Sequence, residues 1–299
     1  MENYSFLKDI GGREEQQDSL AIFTLEKQIF MVVADGMGGH KGGAVASSTL
    51  LKIAENSFLF HNNSINNSPK EFFNRIIEDT KEALREKSYA QNIDPNTTVI
   101  FALIVKNTLH YAYIGDSRLY LFEKKKKLLY RTRDHSLPEM LFKDGKISEK
   151  EIATHPQQNV LTKAIGGDSM DIAEYGEIKL NPYKEYRILL ASDGLWAMIK
   201  DEELYNELFS ENSIEISTKK LLNIAKYRGG KKGDNISIAT LAMEKKSLKL
   251  LYYFLTFLLV IGLVFTLFSF NKESSSDDKN TSEPKKTKRT PATLSWETG

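Results

Sequence analysis

The 299-residue chain contains no cysteine. That excludes disulfides, thiolate metal sites and a cysteine nucleophile, and leaves oxygen and histidine as the ligands for any metal. An excess of one charge is missing too. Lys+Arg number 41 and Asp+Glu 40, a formal net charge of +1, which argues against a nucleic-acid binder, since such proteins carry a basic excess or a basic face. There is no G-x-G-x-x-G and no Walker A loop. Met1 to Ile10 lack a basic start followed by an apolar core, so no signal peptide is expected. What is present, 41% hydrophobic and 27% charged residues, is the composition of a globular protein.

One long apolar run stands out. Leu250 to Phe270 is 21 residues without a charge, and at 1.5 Å per residue it would span about 30 Å, the thickness of a bilayer core. A core helix rarely runs this long without a polar face, so the expectation is one transmembrane helix. Lys245, Lys246 and Lys249 precede it, Tyr252 and Tyr253 sit where an interfacial belt would be, and Lys272 and Glu273 beyond it cancel. The positive-inside rule then places the preceding residues in the cytoplasm, with the chain held at the cell membrane by a single pass. The expected divisions are a body over 1–243, a basic juxtamembrane linker over 244–249, a membrane helix over 250–270 and a disordered polar tail over 271–299.

Within the body, Ile29 to Ala34 reads as a buried strand ending in a loop at Asp35-Gly36. Apolar residues at helical spacing mark Ala44 to Phe60, and a second helix follows Pro69, from Glu71 to about Tyr89. Runs rich in β-branched and aromatic residues predict strands at Thr98–Val105, Leu109–Ile114, Arg118–Phe122 and Leu128–Arg131, joined by hairpin-sized links. Arg187–Ala191 and Asn235–Ala242 read as further strands, with helices near Glu202–Phe209 and Ser217–Tyr227 between them. Strands in hairpins and helices in pairs predict a layered α+β domain built on antiparallel sheets.

The acidic residues with a shared setting are Asp35, Asp116, Asp193 and Asp234. Each sits at or within a residue or two of the end of an apolar strand, with Gly36, Gly115, Gly194 or Gly233 close by. Side-by-side strands would gather these carboxylates at one rim. Clustered carboxylates repel and need a cation, and hard oxygen ligands without cysteine point to Mg²⁺ or Mn²⁺. A lone Asp-Gly is usually only a turn; four in this setting are not.

The blocks Arg13-Glu14-Glu15-Gln16-Gln17-Asp18, Asp35-Gly36-Met37-Gly38-Gly39-His40, Thr97-Thr98, Gly115-Asp116-Ser117-Arg118, Asp134-His135-Ser136, Leu161 to Gly166, Ser192 to Trp196 and Asp234-Asn235-Ile236-Ser237 follow one another in this order. Together they resemble the metal-dependent protein phosphatase family, type 2C, in its bacterial form, over about residues 10–242. The resemblance implies a β-sandwich of two antiparallel sheets flanked by helix pairs, in α-β-β-α layers. It implies hydrolysis of phosphoserine and phosphothreonine in proteins by a metal-activated water, with Mn²⁺ or Mg²⁺ as two ions and a third, weaker one. Asp35 would bridge two ions with the Gly36 carbonyl as a further ligand, Asp193 and Asp234 would complete the first, and Asp116 with Asp193 would hold the third. Asp18 would orient bound water, Arg13 would grip the phosphate and His40 would protonate the leaving alkoxide, while Asn235 and Thr98 accompany these motifs. Implied partners are phosphorylated proteins, a membrane-anchored Ser/Thr kinase with its substrates, and the membrane, without nucleic acid.

Departures from the family pattern are Met37 where some members carry histidine, Gln16 and Gln17 before Asp18, and Asn96 before the two threonines. The polar segment Pro138 to Val160 matches the family's mobile flap. Two other readings are weaker: a catalytically dead scaffold would normally have lost one of Asp35, Asp193 and Asp234, and a metal-dependent nuclease would show a basic stripe.

Overall fold

Residues of β3 (Gln28–Met37) point alternately to two different cores: Phe30, Val32 and Ala34 to one, Met31 and Val33 to the other. This is the two-residue period of a strand covered on both faces. The computed structural model describes residues 3–60, 65, 68–211, 213–246 and 256–266, and the chain divides into two units, Met1–Lys246 and Ser247–Gly299.

In the first unit, β3 belongs to a seven-stranded sheet with β2 (Asp18–Leu25), β4 (Asn96–Thr97), β5 (Val99–Val105), β6 (Thr108–Ile114), β9 (Ile165–Gly166) and β10 (Glu174–Lys179). A five-stranded sheet runs in the order β1 (Tyr4–Asp9), β12 (Ile236–Met243), β11 (Tyr186–Ala191), β7 (Arg118–Glu123) and β8 (Lys127–Arg131). Every pairing is antiparallel. Met31, Val33, Ile100, Leu121, Ile188 and Leu241 fill the space between the sheets. Helices α1 (Gly39–Phe60) and α2 (Pro69–Gln91) close the outer face of the larger sheet, where Phe58, Phe72 and Phe73 meet Phe30 and Phe101. Burial of each such ring contributes roughly 1.5–3 kcal/mol. Short α3 (Leu137–Lys143) and α4 (Glu149–Ile152) lie in the segment that leads away from β8, and α5 (Asp193–Trp196), α6 (Asp201–Ser210) and α7 (Ile214–Gly229) cover the smaller sheet through Leu195, Leu204 and Leu221. The layering is the expected α-β-β-α arrangement.

Local signals fix the helix ends. Ser68 caps α2 by accepting from the Glu71 amide at 3.4 Å, with Pro69 in the first turn, and Asn92 ends it in the left-handed region at φ 51°, ψ 51°. The helix therefore runs two residues further at each end than the periodicity of 71–89 predicts, and α1 begins at Gly39 rather than Ala44. β3 does not stop at Asp35: Gly36 and Met37 pair with Thr97 and Asn96. Five strands, β1, β2, β4, β9 and β10, escape the sequence reading. β1 (YSFLKD) and β10 (EYGEIK) are edge strands with mixed burial, held by β12 and β6 rather than by their own hydrophobicity.

In the second unit, residues 256–266 are helical. The rest of the 250–270 run and the tail over 271–299 lie outside the described residues. Among the described residues no helix is long and apolar enough to cross a membrane.

Candidate metal centre

Antiparallel pairing decides which strand ends meet. The start of β2 faces the end of β3, with Asp18 opposite Asp35; β6, two strands from β3, ends at the same rim. In the smaller sheet Ala191, the last residue of β11, lies opposite Ile238 and Arg118, so the end of β11 and the starts of β12 and β7 share one edge. Asp35, Asp116, Asp193 and Asp234 consequently line one cavity of about 390 Å³, together with Arg13, Gly36, Met37 and Asn235. Sequence reasoning had placed these four carboxylates at one rim, and the structure does bring them there.

The backbone around each is held by side chains. The Asp35 amide donates to Thr98 Oγ1 at 3.1 Å, and the Asp35 carbonyl accepts from the Thr98 amide at 2.8 Å and from Thr97 Oγ1 at 3.0 Å. Thr98 thus positions the strand and does not itself line the cavity. Asp116 follows Gly115, whose φ of +105° is closed to residues with a side chain, and a Cβ there would lie 2.6 Å from Thr98. The Asp116 carbonyl accepts from the Trp196 indole at 3.0 Å, and the Arg118 guanidinium lies 3.5 Å above that indole while gripping Asp134 at 2.8 and 2.6 Å. Buried Asn235 ties three chain segments together: its Oδ1 accepts from the Gln17 amide at 2.7 Å, and its Nδ2 donates to the Ile10 and Glu15 carbonyls at 2.9 and 3.0 Å. Arg13, at the rim, is paired with Asp234 Oδ2.

Asp18 sits behind Asp35, buried, and accepts from Ser192 Oγ at 2.9 Å. His40 falls in the first turn of α1, but its side chain lies outside the described residues. His135 is buried, with Nδ1 accepting from the Gly115 amide at 3.1 Å and Nε2 2.8 Å from Glu174 Oε1. Burial holds its imidazole below the usual value, and both ring nitrogens are engaged within the protein. Sequence reasoning missed Ser192, Trp196, Asn159 and Leu161. The first two stand inside the Ser192 to Trp196 block, where the aspartate is the only charged residue. Asn159 comes from the polar segment after β8, where no motif marks it, and Leu161 opens the Leu161 to Gly166 block without a polar group to mark it.

The electrostatics ask for a cation. Burial pushes Asp116 up to about 7, with Asp134 adding to it, and pushes Asp18 up to about 6. Burial, then the charges of Asp18 and Asp193, raises Asp35 well above the carboxylate range, and burial with Asp116 and Asp234 does the same for Asp193. The buried Oδ1 of Asp193 has no hydrogen-bond partner among the described residues. Among those residues no three His, Asp or Glu side chains are already drawn closely enough together to hold an ion, and Asp234 is turned to Arg13. An all-oxygen set of mutually repelling, under-satisfied carboxylates around one cavity fits hard divalent ions.

A family model described as Protein phosphatase 2C matches residues 10–223. The chain belongs to the protein phosphatase 2C family. It is 32% identical over 248 residues to a protein phosphatase 2C-type protein of Streptococcus pyogenes serotype M6, covering 82% of this chain and 99% of that one. It is 31% identical to the crystal structure of serine/threonine phosphatase Stp1 from Staphylococcus aureus, with a TM-score of 0.70 over 82% of this chain and 96% of that one. The catalytic domain of serine threonine protein phosphatase PstP, solved with two manganese ions, shares the fold at 22% identity, with a TM-score of 0.64 over 81% of this chain and 98% of that one. This member of the 2C family is a metal-dependent protein serine/threonine phosphatase.

Proposed function

We propose that the phosphatase acts on phosphoserine and phosphothreonine proteins at the cytoplasmic face of the membrane, through two Mn²⁺ or Mg²⁺ ions and a third, weaker one. The observation that carries the site is the convergence of Asp35, Asp116, Asp193 and Asp234 on one cavity with Arg13 at its mouth. Asp35, with the Gly36 carbonyl, would hold two ions, Asp193 and Asp234 would complete the first, and Asp116 with Asp193 would take the third. When bound, the ions supply a water activated near neutral pH and positive charge for the non-bridging phosphate oxygens. The chain's own groups do the rest. Arg13, half exposed and already opposite a carboxylate, offers a planar two-pronged donor to the phosphate. Asp18, anchored by Ser192, orients water from behind Asp35. His40 delivers a proton to the departing seryl or threonyl oxygen. Asn235 and Thr98 keep the ligand-bearing segments in place.

Membrane attachment rests on the uncharged run over 250–270 and on Lys245, Lys246 and Lys249 before it. A phosphatase domain so placed would oppose a membrane-anchored Ser/Thr kinase and meet that kinase's substrates. The test uses the full chain in detergent, stripped of metal by chelator and assayed on a phosphothreonine peptide. Activity returns with Mn²⁺ or Mg²⁺ and is lost in Asp35→Asn and Asp193→Asn. Full activity in Asp193→Asn would show that the site is misassigned. Protease treatment of intact and opened cells checks the topology: the domain is cleaved only after opening.

A further inference from the structure

The metal cavity does not stand alone. A second cavity of about 560 Å³ adjoins it, and Met37, Asn159 and Leu161 line both. Its far wall is the end of α2, carrying Arg85 and Tyr89, and the loop over 167–171, carrying Met170. That loop is firmly held. Gly167 packs so closely on α2 that a Cβ would lie 2.7 Å from Arg85 Cα. Ser169 Oγ donates to the Ala164 carbonyl at 2.7 Å, Asp171 Oδ2 accepts from the Ala164 amide at 3.0 Å, and Lys81 reaches the Asp171 carbonyl at 3.0 Å.

Several polar groups of this groove are bonded within the protein, although the Arg85 and Asp168 side chains remain 52% and 89% exposed. Asp168 lies 3.5 Å from Arg85, Asp94 Oδ1 accepts from Asn96 Nδ2 at 3.0 Å, and Ser88 donates to the Ile93 carbonyl at 2.7 Å. The apolar ones are turned to solvent: Met170 is 91% exposed and Tyr89 79%. A rigid loop that holds a methionine out beside an exposed tyrosine leaves apolar surface uncovered, which marks a place for a partner. The partner is dictated by what the neighbouring cavity takes, because a phosphorylated residue seated there must continue as polypeptide. Treated as spheres, the cavities are roughly 9 and 10 Å across, so their centres are roughly 10 Å apart, which an extended chain covers in about three residues.

We propose that this groove receives the substrate chain on one side of the phosphorylated residue, and that Tyr89 and Met170 take an apolar side chain about three residues away from it. The assignment rests on the phosphatase reading of the adjoining cavity and adds the sequence preference of its substrate.

The experiment uses the full chain with Mn²⁺ and two sets of phosphothreonine peptides, in which a leucine or a serine stands three residues before or three residues after the phosphothreonine. Hydrolysis of p-nitrophenyl phosphate, which cannot reach the groove, is followed separately. Leucine on one side only is expected to raise kcat/KM over serine by about fivefold to tenfold, the scale of one well-placed apolar anchor. In Met170→Ala and in Tyr89→Ala the leucine-to-serine ratio falls towards one. Both positions are exposed, so these variants are not at risk of unfolding. Equal rates for leucine and serine on both sides, or a ratio unchanged in both variants, overturns the proposal while hydrolysis of the small ester leaves the phosphatase intact. Absence of metal-dependent hydrolysis of the small ester overturns the phosphatase reading and the groove with it.

Discussion

Stripping the metal from this protein should make its stability fall as the pH rises. Asp116 is pushed up to about 7 by burial, with the Asp134 charge adding, against an ordinary value of 3.8. Between those limits the folded chain binds a proton that the unfolded chain has released, so stability declines with pH across that window and levels off above about 7. At 1.36 kcal/mol for each pH decade, the gap from 3.8 to about 7 amounts to roughly 4 kcal/mol for this group alone. The contributions of Asp18, Asp35 and Asp193 are not added, because each is raised in part by the charge of the others. In a domain of this size about 4 kcal/mol lowers the melting temperature by roughly 8–16 °C. The assay is thermal unfolding of the chelated protein between pH 4.5 and 7.5, repeated with saturating Mn²⁺. The decline should appear without metal and be largely abolished with it, because bound cations favour the ionised carboxylates. Asp35→Asn, which removes one of the crowded charges, should melt higher than the parent at pH 7.5 without metal and gain less from Mn²⁺. A metal-free melting temperature that stays level or rises over that range would refute the view that unneutralised carboxylates strain the fold.

Other perturbations probe the scaffold behind the carboxylates. Asn235→Ala leaves the Gln17 amide and the Ile10 and Glu15 carbonyls without their partner. It should cost about 2–4 kcal/mol and raise the Mn²⁺ concentration needed for half-maximal activity severalfold, read by denaturant unfolding and metal titration. Gly115→Ala forces a side chain into φ +105° against Thr98 and should destabilise by about 2–5 kcal/mol, with loss of metal-dependent turnover. His135→Ala frees the Gly115 amide and breaks the link to Glu174. It should lower the melting temperature and weaken Mn²⁺ binding measured by calorimetry, whereas Glu174→Gln, which can still accept from the histidine, should retain most of both.

The carboxylates were legible because strand ends announce themselves. An apolar run that stops at Asp beside Gly says where the chain reaches a rim, and the two sheets then had to bring those rims together. The same logic found the helix pairs and the layered class. It failed where pairing, not hydrophobicity, makes a strand: Glu174–Lys179 carries three charged residues in six and is held by β6. It also failed at Asn159 and Leu161, which reach the cavity only because Ser136 and Leu161 are bridged and the Leu137 amide donates to the Val160 carbonyl at 2.8 Å. No local pattern encodes that closure. Arg13 was legible as a cation for phosphate but not in its present pairing with Asp234, which depends on a fold joining residues 221 positions apart.

That long reach also governs when the enzyme can exist during synthesis. Its first strand pairs with its last, Tyr4 opposite Leu241 through Asp9 opposite Ile236, and Asn235 secures the segment leading to Asp18. The nascent chain therefore holds its earliest strand without a neighbour until residue 243 has been made, about 10–50 s later at ordinary elongation rates. Within that interval Asp35 is made early and Asp116 about midway, while Asp193 and Asp234 arrive only towards the end. An incomplete polypeptide therefore lacks part of the ligand set and cannot act on phosphoproteins before the domain is whole.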